Sequence, residues 1–271
     1  MDEQTAWARL KNRTLVPKEQ PKQLYLSGNT KTGHSINVPI ALTCHPTKAC
    51  IRFCYGRSGP IAFTPAIVRQ AQNWLRFEAL EKASLREVER EADRIRGAML
   101  YVGQDFLRVF GVGDLQLGSV RFINVLAERH PDLILWVSTR RIDLASKLAY
   151  QMNIQLMFST DVTTRSRDAA AMLKLVSARP TSAFMSFVQQ SEGEEPRFGT
   201  SNVPLVIFPQ HKAAGRRAPW TAKRRHPDIR WCPAGVAGDS GLPHKNACAS
   251  CRHCIDPSVR AVIEQKIRRQ R

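Results

Sequence analysis

The chain has 271 residues, of which 43% are apolar and 24% are charged, so it is long enough to bury one large core and too apolar to be a disordered polymer. Its formal charge is +18, from 41 Lys and Arg residues against 23 Asp and Glu residues. This excess favours a polyanionic partner, such as nucleic acid or an anionic surface, over a basic protein without such a partner.

The cysteine count and the first residues indicate a cellular compartment. Seven cysteines are an odd number, which fits poorly with a closed set of disulfides. The chain begins Met1-Asp2-Glu3-Gln4, which is unlike a secretory signal, and no run approaches the roughly 18 apolar residues of a membrane span. We therefore expect a cytoplasmic protein with no membrane association, whose thiolates bind metal.

The first 42 residues contain only short predicted elements. Residues 2–12 are expected to form a helix, followed by a linker rich in Pro and Lys through Pro21. Residues 24–26 are predicted as a strand and residues 27–33 as a polar turn. Residues 34–42 have an extended character and lead directly into the first group of cysteines.

The middle of the chain alternates between strands and helices. Two helices are predicted first, at 64–83 and at 84–99, the second with Ser84 as its cap and Glu87 three residues later. Strands follow at 106–110, 133–138, 154–159, 183–188 and 203–208, with helices at 119–129, 142–152 and 167–178. Short apolar runs separated by helices of about ten residues predict repeated β-α units around a parallel sheet. We therefore expect an α/β fold, a full or partial (β/α) barrel with parallel strands.

Polar residues follow the predicted strands at the points where the strands end. They are Gly111-Val112-Gly113-Asp114, Ser138-Thr139-Arg140, Ser159-Thr160-Asp161, Gln189-Gln190 and Gln210-His211. Any one of these runs fits an ordinary turn. Because the C-terminal ends of parallel strands meet at one edge, the series favours a shared cavity there, next to the first cysteines.

The first cysteines form a compact group. Cys44, Cys50 and Cys54 lie within eleven residues, and no cysteine occurs in the 177 residues that follow them. Cysteines placed for packing would be scattered among the apolar runs. Three thiolates on one short loop can hold three corners of an iron–sulfur cube and leave the fourth iron open.

The remaining cysteines form a second group near the C-terminus. Its members are Cys232, Cys248, Cys251 and Cys254. The C-x2-C-x2-C spacing is like that of a ferredoxin, and four ligands would close a cluster that is structural or relays electrons. A structural zinc site is the alternative, and His244 and His253 are near enough in sequence to substitute as ligands.

The segment that carries this second group is strongly basic. Residues 211–271 contain 14 Lys or Arg against 4 Asp or Glu, so +10 of the charge lies there. Cations and an aromatic side chain are mixed at Arg216, Arg217, Trp220, Lys223, Arg224 and Arg225. This composition suits the phosphates and stacked bases of DNA or RNA, although a solvated basic face is the alternative.

We expect the chain to have three parts: an N-terminal helix and linker at 1–26, the barrel at 27–210, and a C-terminal cysteine-rich appendage at 211–271.

Two family resemblances follow from these residues. The loop Cys44-x5-Cys50-x3-Cys54 resembles a stretched radical-SAM cluster loop, whose usual spacing is C-x3-C-x2-C. The chain is more closely similar to a gene-product-eighty-eight type domain of phages and mobile elements. The shared motifs are Ser27-Gly28-Asn29-x-Lys31, Cys54-Tyr55-Gly56, Arg108-Val109-Phe110-Gly111-Val112-Gly113-Asp114, His130-Pro131, Ser138-Thr139, Ser159-x-Asp161, Cys232-Pro233-Ala234 and the final C-x2-C-x2-C. They span roughly residues 27–254.

The resemblance implies an iron–sulfur, radical-SAM-like barrel. In that superfamily S-adenosylmethionine (SAM) binds the open iron of a [4Fe–4S] cluster, and one-electron reduction releases a 5′-deoxyadenosyl radical. Gly113 and Asp114 occupy the place where such barrels receive the SAM amino group, and a plain strand-to-helix turn is the alternative. Ser159, Asp161 and Tyr55 are further candidates for cofactor contacts.

Three functions are compatible with the sequence. The first is a radical-SAM-like enzyme that uses an electron donor and modifies a nucleic acid or, as a second choice, a peptide. The second is a non-catalytic nucleic-acid-binding protein in which the iron–sulfur clusters, or zinc, are structural. The third is a zinc-binding DNA protein, which requires the first cysteine group to recruit a fourth ligand such as His45.

Overall fold

The described part of the chain forms one mixed sheet and a set of helices. The computed structural model describes residue 17 and residues 19–29, 33–57, 60–189, 194, 196, 205–209 and 230–231. The strands are β1 (Leu26–Asn29), β2 (Gly33–Ile36), β3 (Phe106–Val109), β4 (Ile134–Thr139), β5 (Ile154–Thr160), β6 (Ala183–Gln189), β7 (Leu205–Pro209) and β8 (Arg230–Trp231). The α-helices are α1 (Ile40–Thr43), α2 (Lys48–Phe53), α3 (Thr64–Lys82), α4 (Leu85–Tyr101), α5 (Leu117–Arg129), α6 (Ile142–Ala145) and α7 (Ser166–Ala178). Two short 3-10 helices lie at Tyr55–Arg57 and Pro60–Ala62.

The sheet has a simple topology, in which the eight strands lie in chain order from β1 to β8. β1 pairs with β2 in an antiparallel hairpin, and every pairing from β2 to β8 is parallel. Because parallel crossovers are right-handed, consecutive order places the connecting helices on one face of the sheet. The predicted α/β fold with parallel β-α units is therefore confirmed. β8 adds a strand to this sheet from within the segment 211–271.

The two faces of the sheet are packed differently. The larger apolar cluster joins one face of the strands to residues of α3, α4, α5, α6 and α7. A second cluster lies on the opposite face, and its fully buried members are all strand residues: Phe106, Trp136, Met157, Phe184 and Val206. Within the described ranges the edge strands β1 and β8 do not pair with each other, so the sheet is open there and closure into a barrel is not established.

The predictions for the long elements are confirmed to within two residues. The strands predicted from 106–110 to 203–208 correspond to β3–β7, and the predicted helices 64–83, 84–99, 119–129 and 167–178 correspond to α3, α4, α5 and α7. The cap predicted for α4 is present, because the Ser84 Oγ accepts a hydrogen bond of 3.2 Å from the Glu87 N–H. The helix predicted at 2–12 lies outside the described residues. None of the described helices combines the length and apolar character that a membrane crossing requires.

The N-terminal prediction was wrong in its details. The strand predicted at 24–26 begins at Leu26 and continues through Ser27-Gly28-Asn29, which had been predicted as a turn. Pairing with β2 supplies the hydrogen-bond partners that keep these small polar residues extended. The extended run predicted at 34–42 also ends early, since α1 begins at Ile40.

The helix predicted at 142–152 was also wrong, because α6 ends at Ala145. Side chains from other elements bond to the backbone that would have continued it. The Asn124 side chain donates to the Lys147 carbonyl and accepts from the Ala149 N–H, and Arg179 donates to the Leu148 and Ala149 carbonyls. Tertiary hydrogen bonds of this kind override a local helical pattern.

Candidate functional site

The first cysteine group is built around a short helix. Cys44 follows α1 directly, and its N–H donates to the Ile40 carbonyl at 3.1 Å. Cys50 lies within α2, and Cys54 is the residue that ends α2. The helix begins here because the Thr47 Oγ1 accepts a hydrogen bond of 3.1 Å from the Cys50 N–H. The predicted cysteine loop therefore contains a helix that fixes the middle cysteine.

The three thiols are free and half-buried, and each pair of them interacts electrostatically. Burial raises the pKa of Cys44 well above its usual value, and Asp114, Cys50 and Cys54 raise it further. Burial, followed by Cys50, raises the pKa of Cys54 to about 11. Burial also raises the pKa of Cys50, although the Arg140 guanidinium opposes this rise. A positive metal centre is the kind of ligand that converts such thiols to thiolates.

Metal ligands in the described part of the chain are not arranged for a single ion. No group of three or more His, Cys, Asp or Glu side chains there could hold a metal ion. The third alternative, zinc held by the first cysteine group together with His45, therefore finds no such group of ligands among the described residues.

Asp161 connects the cysteine helix to the end of β5. Its Oδ2 accepts from the Thr47 Oγ1 at 2.5 Å and from the Arg140 Nη2 at 2.8 Å. Its Oδ1 accepts from the Thr163 N–H and Oγ1, each at 2.8 Å, and the Thr163 Oγ1 accepts from the Ala49 N–H at 3.1 Å. These bonds fix the N-terminus of α2 to the loop after β5.

The charge state of Asp161 suits this connecting role. Burial raises the pKa of Asp161, but Arg140 and the hydrogen bonds from Thr47 and Thr163 outweigh burial and hold that pKa below its usual value. The carboxylate is therefore ionised at neutral pH, and its bonds to Arg140 and Thr47 are charge-assisted.

Asp114 makes a similar connection between the ends of β3 and β4. Its carboxylate is 4% exposed and accepts hydrogen bonds from the Thr139 Oγ1, from the Leu115 N–H at 2.8 Å and from the Arg140 N–H at 3.1 Å. Its own N–H donates to the Thr43 Oγ1 at 3.0 Å. Burial raises the pKa of Asp114 despite these bonds. We call Thr47, Asp114, Thr139, Arg140, Asp161 and Thr163 the strand-end network.

The backbone before Asp114 requires a glycine. Gly113 has a φ of +87°, and a Cβ there would lie 2.5 Å from the Val38 carbonyl oxygen. The close approach of two backbone segments therefore accounts for this glycine within the chain itself. Phe110 also has a positive φ, of 66°, although it is a bulky residue and almost fully buried. Backbone strain at such positions is characteristic of functional sites.

Arg140 is the cation at the centre of the strand-end network. Its side chain is 11% exposed and pairs with Asp161 through Nη2, which also lies 3.5 Å from the Ser159 Oγ. Its Nη1 is buried and makes no hydrogen bond to any described part of the chain. A buried, charged N–H group without a partner is unusual in a folded protein.

The structure brings together most of the residues predicted for the first site. Cys44, Cys50, Cys54, Asp114, Ser159 and Asp161 lie at the C-terminal edge of the parallel strands, joined by the strand-end network. The backbone of Tyr55 lies in the 3-10 helix Tyr55–Arg57, and its side chain is outside the described part. Also outside the described residues are the second cysteine group (Cys232, Cys248, Cys251 and Cys254) and the predicted nucleic-acid contacts (Arg216, Arg217, Trp220, Lys223, Arg224 and Arg225).

Sequence reasoning missed four members of this site as functional residues. Three of them, Thr43, Thr47 and Thr163, were not considered, and the fourth, Arg140, was noted only as a polar residue at the end of a strand. A signal was present for Thr47, because a threonine three residues before Cys50 is a typical helix cap. The partnership of Thr47 with Asp161 spans 114 residues and leaves no local pattern.

A family model described as gene product 88 matches residues 7–257. The chain belongs to the gene product 88 family. This confirms the phage-type domain expected from the motifs. No curated protein and no solved structure matches the chain. Both cysteine groups, from Cys44 to Cys254, lie within the residues that match the gene product 88 model.

Proposed function

We propose that this gene product 88 domain is a radical-SAM-like iron–sulfur enzyme. Cys44, Cys50 and Cys54 hold three corners of a [4Fe–4S] cluster and leave one iron for SAM. The observation that carries this proposal is the placement of three mutually interacting thiols at the C-terminal edge of a parallel β-α sheet. Cys44, Cys50 and Cys54 would hold the cluster, and the bound cluster and SAM would supply radical chemistry toward the substrate.

The donor chemistry is compatible with such a cluster. Three thiols without a fourth ligand among the described residues suit an iron–sulfur centre with one open position. The described residues contain no group of three side chains that could hold a single ion. The assignment of an iron–sulfur cluster therefore rests on the type of ligand and on where the cysteines lie. The consecutive parallel strand order and the strand-only apolar cluster support a partial barrel as the finer description of the fold.

The residues around the thiols position the cysteines. Thr47 starts the helix that carries Cys50, and Asp161 holds Thr47 in place. Asp114 fixes the loop after β3 against α1, which ends next to Cys44. Because Asp114 and Asp161 are themselves held by Arg140, the thiols are attached to the ends of three neighbouring strands. Positions held in this way are suited to precise chemistry.

The proposed substrate is a nucleic acid, DNA or RNA, in a cytoplasmic setting with an external electron donor. The formal charge of +18, with +10 in residues 211–271, supports this choice, because phosphate backbones attract dense positive charge. Cys232, Cys248, Cys251 and Cys254 are proposed to hold a second cluster, or zinc, in the same segment.

A non-catalytic function is the second candidate, and one observation favours it. Asp114 already accepts three hydrogen bonds from the chain, and packing against Val38 explains Gly113. The residues proposed for the SAM amino group therefore also have structural roles. In this alternative the clusters, or zinc, are structural, and the protein only binds nucleic acid.

The deciding experiment measures iron, acid-labile sulfide and SAM cleavage in anaerobically purified protein. If each cysteine group holds a [4Fe–4S] cluster, the chain carries about eight irons. Cys50→Ala and Cys251→Ala should then each remove about half of the iron. Reduced protein should change its EPR signal on addition of SAM and yield 5′-deoxyadenosine, and Cys50→Ala should abolish both effects while Cys251→Ala retains the EPR change.

The three outcomes separate the candidates. Iron and sulfide with SAM cleavage support the enzyme, whereas iron and sulfide without any response to SAM support the non-catalytic protein. Zinc without sulfide at both groups contradicts the enzyme and supports the zinc form of the non-catalytic protein.

Nucleic-acid binding is tested by its dependence on salt. For about five phosphate contacts, a plot of the logarithm of the binding constant against the logarithm of the salt concentration should have a slope near −3.5 on single strands and −4.5 on duplex. Neutralising Arg216, Arg217, Lys223, Arg224 and Arg225 should flatten that slope.

A further inference from the structure

The surface beside the first cysteine group carries exposed cations. Residues 20–77 contain no Asp or Glu, and their seven Lys or Arg residues are Lys22, Lys31, Lys48, Arg52, Arg57, Arg69 and Arg76. Two of these, Lys48 and Arg52, are exposed residues of α2, the helix within the first cysteine group. The chain after β5 adds the exposed Arg165 and Arg167, at the start of α7. We call Lys48, Arg52, Arg165 and Arg167 the cationic rim.

Hydrogen bonds between α2 and the loop after β5 hold the two halves of the cationic rim together. The residues on either side of Lys48 both donate to that loop, one to the Asp161 carboxylate at 2.5 Å and the other to the Thr163 Oγ1 at 3.1 Å. Arg165 lies two residues after Thr163. Lys48 and Arg165 are therefore fixed on the two sides of one junction, next to the first cysteine group.

The described part of the chain neutralises little of this charge. The Arg167 side chain is 77% exposed, and its Nε lies 3.5 Å from Asp168 in a pair at the surface, which contributes little. Lys48 and Arg165 form no ion pair with any described residue. The Asp161 carboxylate at the junction is buried and is already paired with Arg140. A surface of like charges without acidic partners attracts an anion.

The topology of the sheet favours an extended polyanion as that anion. β8 belongs to the segment 211–271, which carries +10 of the formal charge, and it runs parallel to β7. Its C-terminal end therefore lies at the same edge of the sheet as the cationic rim, which follows β5. Three strand spacings, about 14 Å, separate β5 from β8. Phosphates follow one another at about 3.4 Å of axis along one strand of a duplex, so a few nucleotides span this distance.

We propose that the cationic rim binds the phosphate backbone of a nucleic acid and holds it across the edge of the sheet that carries the first cysteine group. This inference rests on the proposed function, because it gives the same substrate a second contact surface, separate from the cations of residues 216–225. An acidic protein is the competing occupant. The reach from the rim to β8 favours a polymer that carries charge at regular intervals.

The test compares two triple variants that change the net charge equally, in full-length protein loaded anaerobically. The rim variant combines Lys48→Gln, Arg165→Gln and Arg167→Gln, and the control combines Lys82→Gln, Arg86→Gln and Arg90→Gln, which replace exposed cations of α3 and α4. Binding of single-stranded oligothymidylate DNA and oligouridylate RNA is measured by fluorescence anisotropy over a range of salt concentrations. If each replaced rim cation neutralises one phosphate, the rim variant should flatten the log–log salt slope by about 2, and the control should leave it unchanged.

Iron content is measured for each variant, so that loss of the cluster is not mistaken for loss of the contact. If the rim variant does not retain iron, Lys48→Gln and Arg167→Gln replace it singly, and each should flatten the slope by about 0.7. An unchanged slope in the rim variants, or equal flattening in the control, would overturn the role of the rim. The proposed function would then stand, with residues 211–271 as the binding segment.

Two further outcomes concern the occupant. Polyglutamate that bound as tightly as the oligonucleotides, and lost the same affinity in the rim variant, would overturn the nucleic acid as the occupant and assign the rim to an acidic protein. Iron-loaded wild-type protein that bound neither DNA nor RNA at low salt would overturn both the rim and the proposed nucleic-acid substrate.

Discussion

Two buried arginine–carboxylate networks occur in the described part of the chain, and they differ in how many of their N–H donors make hydrogen bonds. In the helix-pair network, formed by Arg76, Glu87, Glu91 and Arg94, the Arg76 Nε and Nη2 donate to Glu91 and its Nη1 donates to Glu87. In the strand-end network Arg140 donates only through Nη2 to side chains, and its Nη1 has no partner in the described residues. A network that only stabilises a fold satisfies its charged donors, whereas an unsatisfied one is suited to receive a ligand.

The helix-pair network joins three segments of the chain. Glu91 is 4% exposed and accepts from the Leu24 N–H at 2.9 Å and from the Arg94 Nε at 3.0 Å, in addition to Arg76. It therefore connects α3, α4 and the segment that leads into β1. Each charge in it is paired and hydrogen-bonded, which is the condition under which buried charges are tolerated.

The largest effect is expected for Glu91→Ala. Removing one partner of a buried ion pair leaves Arg76 without its main acceptor, and this should lower the free energy of unfolding by about 3–5 kcal/mol. Chemical denaturation measures the change. Glu87→Ala is the control, because the Glu87 side chain is 37% exposed and its loss should cost about 0–1 kcal/mol. Equal losses of stability for the two variants would mean that the buried Glu91 carboxylate stabilises the fold no more than the partly exposed Glu87 does.

Neither network has a local signature in the sequence, although the elements that carry the networks do. The apolar runs of β3–β7 were predicted to within two residues, because buried parallel strands consist of continuous apolar residues. Residues 27–29, predicted as part of a turn, form a strand because they pair with β2, and the helix predicted at 142–152 ends at Ala145 because the side chains of Asn124 and Arg179 bond to the backbone beyond it. Local patterns cannot report partners that lie far along the chain.

The second-largest loss of stability is expected for Asp161→Asn, which keeps the shape of the side chain and removes its charge. It weakens the charge-assisted bonds from Arg140 and Thr47 and should lower the free energy of unfolding by about 1.5–3 kcal/mol. Because Thr47 starts the helix that carries Cys50, the iron retained by the first cysteine group should also fall. Denaturation and iron analysis measure these two results.

Asp143→Asn is the matched control for Asp161→Asn. It breaks an Arg–Asp pair at the start of α6, but the Asp143 side chain is 61% exposed. Its loss should change the stability by less than about 1 kcal/mol and leave the iron content unchanged. If Asp161→Asn resembled this control in both measurements, the strand-end network would not position the cysteine helix.

The location of the site could be predicted from the sequence, but the hydrogen-bond partners within it could not. Polar residues at strand ends placed Asp114 and Asp161 at one edge, which the hydrogen bonds to Arg140 bear out. The same argument could not distinguish a carboxylate that contacts a ligand from one that joins two loops. That distinction depends on the partners of each oxygen, and for Asp114 these are Leu115, Thr139 and Arg140.

The smallest losses of stability are expected when the same substitution, Arg→Lys, is made in each network, and this pair of variants compares the networks most directly. Arg→Lys keeps the positive charge but replaces a planar fork of donors with a single ammonium group. Arg76→Lys loses at least one of three side-chain contacts with Glu87 and Glu91, so it should cost about 1–2 kcal/mol. Arg140→Lys can retain its pair with Asp161 and has no bond at Nη1 to lose, so it should cost less than about 1 kcal/mol. Denaturation of protein free of SAM measures both variants. A loss for Arg140→Lys as large as that for Arg76→Lys would show that Arg140 is fully used by the fold, and the contrast between the networks would then disappear.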